Sequence, residues 1–190
     1  MTVREHAVAA KKVFDGFDLH DDAAVLIRDD RIAGVVARGE VPANVPLHDL
    51  PEEAWLAPGF IDIQVNGGGD VLFNETPTPE GIRSIVAAHR RFGTTSLLPT
   101  LISDKPEKMA AAIAAVETVM AAEPGVLGIH LEGPFLSAEK AGVHSLSAIR
   151  KPTAADLDMI SARKFLVLLI PQPPRNVQMH PAHAVGIVAR

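Results

Sequence analysis

Apolar and polar positions follow two regimes along this chain, and the change comes near residue 56. Before it the pattern is that of short strands. Ala23 to Ile27 and Ile32 to Ala37 are apolar runs joined by the polar Arg28-Asp29-Asp30-Arg31, which predicts a hairpin. Val41 to Pro51 is punctuated by proline and reads as irregular. Nothing in this β-region suggests catalysis.

From Leu56 onward strands alternate with helices. Leu56 to Asn66 reads as an apolar strand ended by Gly67-Gly68-Gly69-Asp70. Thr78 as N-cap and Pro79 in the first turn open a helix. Ile82, Ile85, Val86, His89 and Phe92 continue it at helical spacing up to Gly93. Thr94 to Ile102 is the next strand. Ser103-Asp104 precedes a second helix with Met109, Ile113, Val116 and Met120 on one face, stopped by Pro124-Gly125. Val126 to Glu132 is a third strand. Thr153 and Asp156 have the spacing of a capping box for a short helix through Arg163, and Phe165 to Ile170 is a fourth strand.

This alternation predicts βαβ units and a parallel sheet, hence an α/β fold. A complete (β/α)8 TIM-like barrel takes about 250 residues, so the expected architecture is a partial barrel of about three and a half units. Composition narrows the function. Apolar residues make up 47% of the 190, which suits a packed core, and the formal charge of −5 gives no reason to expect nucleic acid or an anionic membrane as partner. No stretch approaches the roughly 20 apolar residues of a membrane span, and the N-terminus lacks a continuous apolar signal core; a cytoplasmic location is expected. With no cysteine, any metal must use His, carboxylate or amide ligands.

Active sites of (β/α)8 folds lie at the C-terminal ends of strands. The first strand ends Asp62-Ile63-Gln64-Val65-Asn66, and alternation puts Asp62, Gln64 and Asn66 on one face if Ile61, Ile63 and Val65 meet the helices. The second ends Pro99-Thr100 and the third His130-Leu131-Glu132, with His130 and Glu132 sharing a face. Each has a plainer reading. Glu132 alone would pair with an Arg or Lys, Gln64 and Asn66 would hold a loop, and His130 would be a hydrogen-bonded core residue. Gly67 to Gly69 could cradle a phosphate but is first a turn; Thr100 suits a turn, and Arg150-Lys151 a solvated pair. Their coincidence at successive strand ends favours a polar rim, and a metal site is one version of it.

Four segments are more specific: "LAPGFIDIQVNGGG" (56–69), "GTTSLLPTLIS" (93–103), "LGIHLEGPFLSAEKAGVH" (127–144) and "RKPT" (150–153). Together they resemble the N-acetylglucosamine-6-phosphate deacetylases of the amidohydrolase superfamily, up to about residue 165. The resemblance implies a small β-sandwich (1–55), the first half of a metal-dependent barrel (56–170) and an irregular, divergent tail (171–190). It implies hydrolysis of the acetamide of N-acetylglucosamine 6-phosphate to glucosamine 6-phosphate and acetate. Glu132 matches the family's metal-binding glutamate; Val143 and His144 match substrate contacts; Gln64 and Asn66, with His130 nearby, stand where many amidohydrolases carry a His-x-His pair. Amides bind a divalent ion less well than imidazole, so one ion, most simply zinc, is expected. The full-length family form is expected to be a homodimer acting on an amino-sugar phosphate.

The family's two metal-binding histidines and its general-base aspartate fall on later strands, which have no counterpart in this sequence. After Phe165 the text reads "LVLLIPQPPRNVQMHPAHAVGIVAR", and His180 and His183, with Pro181 between them, suit an irregular tail better than ligation. The expectations are weak metal binding, negligible activity for the chain alone, and a truncation or frameshift near residue 165. Two alternatives stay open: a non-catalytic fragment binding sugar phosphate or a homologue, and a hydrolase of cyclic amides or dipeptides. Downstream DNA read in all frames is expected to contain the remaining half-barrel; finding no remnant would overturn the truncation.

Overall fold

A computed structural model describes residues 4–161 and the backbone of 167–169. The chain divides into two compact units, Met1–Pro58 and Gly59–Arg190. The expected fourth strand is seen only as Val167–Leu169; residues 162–166 and the tail with His180 and His183 lie outside the described residues.

In the first unit β1 (Glu5–Phe14), β2 (Leu19–Arg28) and β3 (Arg31–Ala37) form an antiparallel meander. The β2–β3 hairpin is the one its polar turn predicts. Val41 to Pro51 is not wholly irregular: β4 (Leu47–Asp49) pairs in parallel with β1, as does β5 (Trp55–Leu56). The strand order is β3-β2-β1-β4 with β5 also on β1, one sheet among the described residues of this unit. Ala7, Ala9, Ala10 and Val13 of β1 are buried with Ala23 and Ala24 of β2. Small side chains on neighbouring strands keep these two apolar clusters modest.

The predicted strand over Leu56 to Asn66 is broken. β5 ends at Leu56 and β6 spans Phe60–Val65, with Pro58 between them removing a ladder donor. Beyond β6 the glycine run makes a tight two-residue ladder of β7 (Gly67–Gly68) and β8 (Val71–Leu72). Asp70 takes a positive φ there, and a Cβ on Gly68 would meet the His89 ring at 2.9 Å. The His89 Nε2 lies 3.0 Å from the Gly67 carbonyl oxygen, so the glycines serve close approach to a helix.

That helix, α1 (Pro79–Arg90), starts as its sequence predicts: the Thr78 hydroxyl accepts from the Gly81 N–H at 3.1 Å. β9 (Thr94–Ile102), α2 (Pro106–Met120) and β10 (Gly128–Glu132) follow, and the parallel sheet has the order β11-β10-β9-β6, with β11 at Val167–Leu169. Leu97 and Leu101 of β9 and Ile129 and Leu131 of β10 join Ile82, Ile85, Met109, Ile113 and Val116 of the helices in one core. Val65 belongs to that core, but Ile61 and Ile63 are 62% and 55% exposed. Of the three residues whose contact with the helices was the condition for the polar face, only Val65 is packed in the core. β6 is the last strand on its side of the described sheet, and no described helix covers its N-terminal half. No helix among the described residues is long and apolar enough to cross a membrane.

The loop after β10 is closed by α3 (Ala154–Ser161). Asp156, 2% exposed, accepts from both terminal nitrogens of Arg150 (2.5 and 2.7 Å) and from the Thr153 N–H and hydroxyl (2.8 and 2.7 Å). Thr153 returns the contact by accepting from the Asp156 N–H at 3.3 Å, which completes the capping box. Arg150 is therefore not a solvated residue beside Lys151. Its guanidinium also lies 5.4 Å from the centre of the Phe135 ring, and the Arg150 backbone N–H donates to the Pro134 carbonyl at 3.1 Å.

The Arg150 hydrogen bonds, with those from Thr153, hold the Asp156 carboxyl well below the usual carboxylate range. A depressed folded-state value means that the stabilisation is present above about pH 4, the ordinary aspartate value, and is lost as pH falls below it. Asp156→Asn turns an amide donor toward Arg150 and is expected to cost about 3 kcal/mol at neutral pH, measured by urea unfolding. That difference should shrink on acidification. Ile113→Ala, which opens a cavity under both helices, is expected to cost about 3 kcal/mol with no such pH dependence.

Candidate functional site

β9 is paired in parallel on both sides, so β6, β9 and β10 end on the same edge of the sheet. The register sets Glu132 beside Ile102 and Val65 beside Pro99. Side chains alternate across the sheet. With Val65, Leu101, Ile129 and Leu131 in the helix-side core, Asn66, Thr100, His130 and Glu132 fall on the other face. Three chain segments thus deliver polar groups to one place.

Thr100 is not at the rim and makes no turn. It is fully buried one rung below, where the β6–β9 ladder slips between Asp62 and Val65. Its hydroxyl oxygen accepts the Val65 N–H at 2.9 Å and lies 3.3 Å from Nδ1 of His130. His130 is 4% exposed, and burial pushes its imidazole below the ordinary histidine range, the Glu132 charge acting against that. It is a hydrogen-bonded interior residue under the rim.

Glu132 is the rim carboxylate. The Asn66 amide nitrogen lies 3.5 Å from one of its oxygens, and Nε2 of His144 lies 3.7 Å from the other. His144 arrives from the loop after β10 and is almost buried (9% exposed). Its Nδ1 accepts the Ser103 N–H at 3.2 Å and sits 2.8 Å from the Ser103 hydroxyl. Of the sequence candidates, the fold gathers Asn66, Glu132 and His144. Gln64 is exposed with its N–H turned to Asp62, and the Val143 side chain is 80% exposed.

Two positioning elements escaped the sequence reading. Asn74 clamps the end of β9: its side-chain oxygen accepts the Ile102 N–H at 3.0 Å, and its amide nitrogen donates to the Ile102 carbonyl at 3.2 Å. Ser103, in sequence simply the residue ahead of a helix, is the second. Gly133 was the available signal, because at φ +100° a Cβ there would come within 2.1 Å of the Ser103 hydroxyl oxygen. Beside the cluster a cleft of about 300 Å³ is lined by Ser103, Lys105, Pro106, Ser145, Ser147 and Arg150 among others.

The expected metal can be tested against these residues. Zinc sites use three or four protein ligands. Among the described residues no group of three or more His, Cys, Asp or Glu is placed to hold an ion. Glu132 offers one carboxylate, an amide is its neighbour, and His144 has committed Nδ1 to Ser103. The described residues by themselves do not fit a metal centre.

No protein-family model matches the chain. It is 40% identical over 169 residues to the N-acetylgalactosamine-6-phosphate deacetylase of Shewanella sp. (strain ANA-3), covering 87% of this chain and 43% of that protein. The N-acetylglucosamine-6-phosphate deacetylase of Haemophilus influenzae is 33% identical over 149 residues, covering 78% and 39%. The crystal structure of N-acetylglucosamine-6-phosphate deacetylase from Pasteurella multocida matches with a TM-score of 0.78 at 31% identity, over 83% of this chain and 42% of that one. A Mycobacterium smegmatis deacetylase variant in complex with N-acetyl-D-glucosamine-6-phosphate gives 0.73 at 30% identity, over 87% and 43%. The chain spans less than half the length of each of these relatives. In sequence and in fold, this chain is similar to the N-terminal part of N-acetylglucosamine-6-phosphate deacetylases.

Proposed function

We propose that this chain forms the N-terminal half of a (β/α)8 site that hydrolyses the acetamide of N-acetylglucosamine 6-phosphate. The observation that carries the reading is the meeting of Asn66 and Glu132, at the ends of the two strands that flank β9, with His144 from the loop after β10, in a fold matched to deacetylases. Each group has a task that suits amide hydrolysis. Nε2 of His144, with Nδ1 already used as an acceptor, is left to donate a hydrogen bond to the acetamide oxygen or a sugar hydroxyl. Asn66 orients the Glu132 carboxylate from one side while His144 faces it from the other. The buried wall of Thr100 and His130 beneath them keeps water from that face.

Glu132 is the carboxylate this chain would contribute to a divalent ion, zinc being the simplest choice, whose other ligands are not among the described residues. When bound, such an ion would supply an activated water and polarise the amide. Val143, exposed at the loop, is proposed as a contact for the sugar. By the same reading the general base is not among the described residues, and the full-length family form is a cytoplasmic homodimer.

Titration with N-acetylglucosamine 6-phosphate, followed by NMR, is expected to perturb His144, Asn66 and Glu132. N-acetylgalactosamine 6-phosphate is the comparison sugar, given the relative that acts on it. His144→Asn should weaken binding about tenfold, the loss of one hydrogen bond to a polar ligand. With zinc added, acetate release by the chain should not exceed that of Glu132→Gln, and dialysis should remove the zinc. No perturbation at saturating sugar would sink the reading, and tightly retained zinc with turnover would overturn the assignment of the missing ligands.

A further inference from the structure

We infer that Ser103 is a positioning residue that fixes the tautomer and aim of His144. Hydrogen-bond chemistry fixes which atoms here can accept. A backbone N–H only donates, and the Ser103 N–H points at Nδ1 of His144 at 3.2 Å. Nδ1 must therefore carry a lone pair, and the neutral ring must hold its proton on Nε2. The Ser103 hydroxyl, 2.8 Å from the same nitrogen, then donates as well. Two donors from one residue converge on Nδ1, and the remaining N–H of the ring faces Glu132 across 3.7 Å.

The surroundings are built for this contact. Ser103 is 7% exposed and His144 9%, so neither hydrogen bond is readily exchanged for water. Ser103 follows directly on β9, whose last residue is clamped by Asn74 on both its N–H and its carbonyl. Gly133 leaves the space that the Ser103 hydroxyl fills; any side chain there would strike the oxygen. The glycine after Glu132 thus makes room for the group that aims His144 back at Glu132. Arg150 holds the far end of the same loop through Asp156 and the Pro134 carbonyl.

This inference rests on the proposed sugar site for its purpose, but its test needs no sugar and no metal. Long-range proton–nitrogen correlation on the chain labelled at histidine reads each ring nitrogen as protonated or bare. The spectrum is taken about two units above the ordinary histidine pKa. His144→Asn identifies the signals of residue 144 among the eight histidines. The expected result is a bare Nδ1 and a protonated Nε2. Ser103→Ala keeps the N–H but removes the hydroxyl, so both shifts should move toward the averaged values of a free ring. Gly133→Ala, which displaces the same hydroxyl, should move them in the same direction. A protonated Nδ1 in the unmodified chain overturns the inference, as do unchanged shifts in Ser103→Ala. If the tautomer holds while N-acetylglucosamine 6-phosphate fails to bind, the functional reading falls and the positioning role stands.

Discussion

Parallel pairing of β6 and β10 on the two sides of β9 is the constraint on which the rest of this site depends. Parallel strands all end on one edge, so three residues distant in sequence, Asn66, Ser103 and Glu132, are brought to one rim. The same pairing buries β9 on both faces. Leu97 and Leu101 serve the helix-side core, while Leu98 and Thr100 serve the other face. A polar side chain is tolerated at Thr100 because it takes up a backbone N–H that the slipped ladder leaves over. Burial and chemistry are thereby separated: apolar residues toward α1 and α2, polar residues toward the rim.

The loop after β10 adds what strands alone do not supply. His144 is twelve positions past Glu132 yet returns to face it, which requires an anchor at each end of the loop. Near β9 the anchor is Ser103 with the space left by Gly133. At the other end it is Arg150 gripping Asp156, with Phe135 under the guanidinium. A buried carboxylate would oppose folding if unpaired; here each oxygen is satisfied by charge-assisted or neutral hydrogen bonds. The ion pair is therefore a fastener of the site rather than a participant in its chemistry.

Much of this was legible in the chain, unevenly. β9 was readable residue for residue because its apolar run is bounded by Gly93 and Ser103, and α1 because Thr78-Pro79 is a strong start signal. Val65 and Glu132 fell on the faces that alternation assigned them. Ile61 and Ile63 did not find the expected cover, because hydrophobic periodicity says which face is apolar and not whether anything packs on it. Arg150 was misread for a related reason. A charged residue beside lysine looks solvated until its partner, six positions on, is placed against it by a helix start.

The sequence by itself determined the alternation of strands and helices, the capped helix starts, the acid at the end of β10 and the family resemblance, all of which are local patterns along the chain. Tertiary structure alone decided that Asn66 rather than Gln64 meets Glu132, that Thr100 is an interior rung, and that Ser103 holds Nδ1 of His144. Those outcomes depend on strand register and on loop return. Both are set by contacts between residues 30 to 70 positions apart, which no local window contains.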